Sequence, residues 1–104
     1  MNIALDCDGV ITEVPEFWAV VSKALIDAGH KGYVITDITP YFATQRLQEL
    51  QEYGIHYTHL ICTKNKRQAC EELQISYAID DMGRKYYPAI KEWCPCEIIK
   101  IPSP

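Results

Sequence analysis

Apolar positions along the chain alternate between two patterns. Short runs at residues 2 to 5 (Asn-Ile-Ala-Leu), Tyr33 to Thr36, His59 to Cys62, Tyr77 to Ile79 and Glu97 to Ile101 read as strands. Between them the apolar residues recur at helical spacing. Pro15 is a favoured first helical residue, Phe17, Val20, Val21, Ala24, Leu25 and Ala28 form the expected apolar stripe, and Gly29 is the expected stop. Thr39 followed by Pro40 predicts a cap and first turn for a second helix, with Phe42, Ala43, Leu47 and Leu50 facing inward and an end near Gly54. Asn65 is placed to cap a short third helix through Leu73.

Strands alternating with helices predict right-handed crossovers and a central parallel sheet of about five strands, covered on both faces. The expected fold is therefore a three-layer α/β/α, Rossmann-like domain. No repeat, low-complexity tract or linker interrupts the pattern, so residues 1–104 are expected to form a single domain.

Composition narrows the function classes. With 48% hydrophobic and 23% charged residues, the chain has the make-up of a globular protein rather than a disordered one. A net charge of -4 gives no global attraction to nucleic acid or to an anionic membrane. Setting aside Asp6, Asp8, Asp80 and Asp81 leaves ten of the 14 acids, equal to the ten bases, so the excess charge equals one acidic cluster. The five cysteines are odd in number and lie mostly beside apolar neighbours, which favours thiols in a reducing compartment. No apolar run approaches the ~18 residues of a membrane span and no leader pattern opens the chain, so a cytoplasmic protein is expected.

Asp6 and Asp8 end the first strand two residues apart, and while the chain stays extended their side chains leave on the same side. Asp80 and Asp81 end another. Ligands of open parallel sheets bind beyond the carboxyl ends of the strands, and neighbouring strands are only about 4.8 Å apart. Three or four carboxylates gathered there require a cation, and oxygen-only ligands suit Mg²⁺. Cys7, between the two aspartates, is expected to point away from them into the packing.

These residues resemble the motifs of the haloacid dehalogenase superfamily, in particular its capless phosphatases. The resemblance rests on Asp6-Cys7-Asp8-Gly9-Val10, Thr36 after Tyr-Val-Ile, Lys66, and Asp80-Asp81 after Tyr-Ala-Ile, in the family's order over residues 2 to 82. It implies a phosphomonoesterase in which Asp6 is the nucleophile and forms a phosphoaspartate, and Asp8 is the general acid and base. It further implies Mg²⁺ held by Asp6, the Asp8 carbonyl and Asp81, with Asp80 orienting Lys66. Thr36 and Lys66 would bind the phosphoryl oxygens.

Lys64 competes with Lys66 for the lysine role. Asp37 departs from the family, where glycine commonly follows the threonine, and its carboxylate would repel a phosphate in the substrate-binding loop unless it turned away. No cap is encoded, which implies a bulky phosphorylated substrate, nucleic-acid ends among them, or a second subunit of a homo-oligomer closing the site. Lys64, Lys66, Arg67, Arg84 and Lys85 flank the last motif and offer either guidance for a polyanion or an ordinary solvated surface. A phosphate- or metal-binding module with little turnover is the alternative, and a receiver domain is a third reading. Cys94-Pro95-Cys96, His56, His59, Trp18 and Trp93 are read as structural.

Overall fold

The apolar runs assemble into one sheet in which residues 3–5, 32–36 and 78–80 are buried on both faces, as central strands of a parallel sheet are. A computed structural model describes residues 1–81 and 96–101. Its five strands are β1 (Asn2–Leu5), β2 (Lys31–Thr36), β3 (His59–Cys62), β4 (Tyr77–Asp80) and β5 (Glu97–Lys100). They lie in the order β3-β2-β1-β4-β5 with every neighbouring pair parallel. This is an α/β architecture compatible with a Rossmann-like fold. Among the described residues, the connections between strands run through α1 (Pro15–Asp27), α2 (Ala43–Tyr53) and α3 (Lys66–Glu72).

Strand alternation divides the core in two. Ile3, Leu5 and Val34 join Trp18 of α1 and Leu50 of α2 in one apolar cluster, whereas Ala4, Tyr33, Ile35 and Ala78 join Ala69 and Cys70 of α3 in the other. Leu5, Val34 and Leu50 are fully buried, and each contributes roughly 1.5–3 kcal/mol by leaving water. Trp18 and Cys7 lie in this core, as expected of structural residues, and His59 stacks on Tyr33 with ring centroids 6.2 Å apart.

Two expected helix faces are corrected. On α1, Phe17 and Val20 are 55% and 69% exposed, while Trp18 and Ser22 are buried. The helix carries more apolar residues than one face can bury, and the large indole decides the rotation: Phe17 is left to pack edge-on against it, 5.1 Å away. Ser22 satisfies its hydroxyl by donating to the Ala19 carbonyl and accepting from the His56 N–H, both at 3.1 Å. On α2, Phe42 and Leu47 are exposed, and the inner face is Arg46 and Leu50. Thr39 makes no side-chain cap; a 3₁₀ turn, Pro40–Phe42, precedes the α-helix instead. Gly54, at φ +73°, closes α2 in the left-handed conformation its sequence position suggested.

Candidate functional site

The strand order reverses between β1 and β4: the chain adds β2 and β3 on one side of β1, then returns to add β4 and β5 on the other. Ligands of open α/β sheets sit at this kind of switch point. The Asp6 N–H extends the β1–β4 ladder by donating to the Ile79 carbonyl at 2.9 Å, which sets Asp6 beside the end of β4. Asp6 and Asp80 share the strand parity of Ala4 and Ala78, the face that α3 covers. Lys66, the first residue of α3, reaches down from that helix. Its ammonium donates to Asp6 Oδ1 at 2.9 Å and to Asp80 Oδ2 at 3.0 Å, with only 13% of its side chain exposed. Asn65 fixes the start of this helix, its side chain accepting from the Gln68 N–H at 3.1 Å.

Asp81 completes the acidic group: one carboxylate oxygen each from Asp6, Asp80 and Asp81 lies within 4.8 Å of the others. Gly9 makes room for it. A methyl group on Gly9 would fall 2.0 Å from Asp81 Oδ2, and the residue's φ of +82° is one that side chains disfavour. Gly9 lies in a wide turn, Cys7–Ile11, which the Thr12 N–H closes on the Cys7 carbonyl at 3.1 Å.

Among the described residues the Lys66 ammonium meets Asp6 and Asp80, and Asp81 brings a third carboxylate beside them. Burial pushes the Asp6 carboxyl up to about 8, Lys66 opposes this and Asp80 adds to it. Burial alone would lower the Lys66 ammonium, but Asp6 and Asp80 more than reverse that and raise it. Its acidic neighbours thus hold Lys66 as a cation, while burial beside Asp80 biases Asp6 toward its neutral form. A hard divalent ion suits the chemistry of this donor set, because the ligand atoms are all carboxylate oxygens and lie within 4.8 Å of one another.

The Asp8 carboxylate is not among these three, although an extended chain would send it out on the same side as Asp6. The chain leaves the extended state after Asp6, and a buried cation draws the Asp8 carboxylate elsewhere. Arg46 Nη2 donates to Asp8 Oδ2 at 2.9 Å, while Nη1 donates to Glu49 Oε2 at 2.9 Å and to Cys7 Sγ at 3.4 Å. The Arg46 side chain is 10% exposed and that of Asp8 64%. Sequence reasoning missed Arg46; its one signal was a position four residues before Leu50, on the inner stripe of α2. Burial raises the Cys7 thiol to about 11, so it stays protonated despite the guanidinium.

Thr36 is fully buried, and its hydroxyl is without a hydrogen-bond partner. Strand alternation assigns it to the Val34 face, opposite Asp6 and Lys66. The two lysines part company: Lys64 is exposed and donates to the Asp37 carbonyl at 3.1 Å, with Asp37 Oδ1 3.4 Å away, so each neutralises the other outside the acidic group. Arg67 pairs with Glu71 on the surface of α3. Cys7, Cys62, Cys70 and Cys96 form no disulfide. Arg84, Lys85, Trp93, Cys94 and Pro95 lie outside the described residues. No helix among the described residues is long and apolar enough to cross a membrane.

No family model, curated protein or solved structure matches the chain. The functional reading therefore rests on the site itself.

Proposed function

We propose that this chain is a Mg²⁺-dependent phosphomonoesterase that works through a phosphoaspartate on Asp6, on a three-layer domain of the haloacid dehalogenase type without a cap. The observation that carries the reading is the convergence of Asp6, Lys66, Asp80 and Asp81 at the switch point of a parallel sheet, from three separate stretches of chain. A structural ion pair needs one acid for one base. Here three acids gather around one described base, and buried like charges held close together are expensive unless cations or hydrogen bonds offset them.

In this reading Asp6, Asp80 and Asp81 would hold the ion, which would screen the phosphate's charge and polarise its oxygens. Lys66 holds Asp6 Oδ1, leaving the other carboxylate oxygen to attack phosphorus. The bond from phosphorus to the ester oxygen breaks, and Asp8 supplies the proton the departing alcohol needs. Asp8 then takes a proton from the water that hydrolyses the phosphoaspartate. Lys66 also faces charge that accumulates on the phosphoryl oxygens. Asp37, paired with Lys64, is disposed to present little net charge to an incoming phosphate.

Hydrolysis of an aryl phosphate with Mg²⁺ should be stopped by chelation and by Asp6→Asn; turnover that survives either change refutes the reading. A second reading, binding of phosphate or cation without turnover, is favoured by the placement of Asp8 on Arg46. It predicts a beryllofluoride adduct on Asp6 with no hydrolysis of any ester.

A further inference from the structure

Arg46 is a buried cation for which the sequence motifs have no use, and it holds the proposed acid. Its partners differ in kind. Glu49 lies one helical turn away on α2 and Cys7 is packed in the core, so together they hold the guanidinium in place. Asp8 is the exposed partner, on the turn that directly follows Asp6. The restraint therefore runs from Arg46 to Asp8. Beside the same guanidinium, Ile38, Phe42, Gln45, Arg46 and Glu49 line a pocket of about 270 Å³.

We propose, on the basis of the phosphatase reading above, that Arg46 is the positioning residue for Asp8: it aims the Asp8 carboxyl at the departing alcohol. An exposed carboxyl on a turn has many rotamers, and proton transfer requires one of them. A guanidinium anchored from behind by Glu49 and Cys7 restricts the choice through a single strong charge-assisted bond. The same bond keeps Asp8 apart from the ion held by Asp6, Asp80 and Asp81, where it would be a ligand rather than an acid. Lysine would supply the charge but not the fork that grips Asp8 and Glu49 together.

Leaving-group dependence tests this, because only a poor leaving group needs a proton as it departs. The values of kcat/KM, which report steps through loss of the alcohol, are measured for an alkyl phosphate and for p-nitrophenyl phosphate. Arg46→Gln should lower the alkyl value about 10- to 100-fold and the aryl value less than about threefold. Arg46→Lys should fall between parent and Arg46→Gln on the alkyl ester. In the Asp8→Asn background, Arg46→Gln should cost the alkyl ester nothing further.

A merely structural role would depress both esters alike, and that outcome, or additive losses with Asp8→Asn, overturns the proposal. If Arg46→Gln does not fold, as circular dichroism would show, Arg46→Lys carries the comparison: equal losses on the two esters, or none on either, overturn the proposal. Parent protein that hydrolyses neither ester overturns the phosphatase reading and this inference with it. Parent turnover with undiminished alkyl activity in Arg46→Gln overturns this inference alone.

Discussion

Replacing Gly9 by alanine should perturb the proposed cation site through one added methyl group. The backbone there has φ +82°, and a side chain in that region costs roughly 1–2 kcal/mol. The new carbon would also lie 2.0 Å from Asp81 Oδ2 and 2.6 Å from its Cγ, so the carboxylate has to move by about an ångström or more to reach ordinary contact. Displacing a ligand in this way should weaken the ion by about 10- to 100-fold, the range seen when supporting groups of metal sites are removed. Urea unfolding separates the two effects. In chelator, Gly9→Ala should lose only the backbone cost. With Mg²⁺ at a hundred times the parent's Kd, the parent gains about 2.7 kcal/mol, while a variant weakened a hundredfold gains about 0.4 kcal/mol. A Mg²⁺ increment equal to the parent's would refute the placement of Asp81 as a ligand held against Gly9.

Removing Lys66 leaves Asp6 and Asp80 buried against each other, so Lys66→Met should cost about 3–5 kcal/mol in urea unfolding at neutral pH, whereas exposed Lys64→Met should cost less than about 0.5 kcal/mol. Asp6, near 4 in the unfolded chain and raised to about 8 by folding, takes up a proton on folding between those values. Metal-free stability should therefore fall as pH rises through that window and level off above it; Asp6→Asn should remove the slope and be the more stable protein at about pH 8, and a slope retained in the variant would assign it elsewhere. Asn65→Ala should cost about 1 kcal/mol by unpairing the Gln68 N–H at the start of α3, and an unchanged denaturation midpoint would show that the cap contributes nothing.

The sheet and the acidic convergence were legible because both depend on strand ends. An apolar run that stops at an aspartate marks where a buried strand emerges, and parallel topology then collects those ends at one edge. Lys66 was legible only in part, since Lys64 competed for the role until the start of α3 at Lys66 set that side chain against the acids. Helix faces were harder to read. The apolar residues of α1 fit more than one stripe, and the size of Trp18, which no periodicity records, decides between them. The environment of Asp8 was beyond local pattern altogether: its partner lies 38 residues away, on a helix whose arginine looks like an ordinary surface residue until Leu50 fixes the rotation.

A sheet whose strands all run one way has two unlike rims. At one rim lie Asp6, Lys66, Asp80 and Asp81; at the other the helices turn back into strands, around Gly29, Gly54 and Gln74. Those returning bends lie at the rim away from the acidic side chains, so a peptide grafted there should cost only about 0.6 kcal/mol per doubling of loop length, provided the left-handed Gly54 is kept. Fusion partners and reporter tags inserted at that rim should leave the acidic group at the opposite one undisturbed.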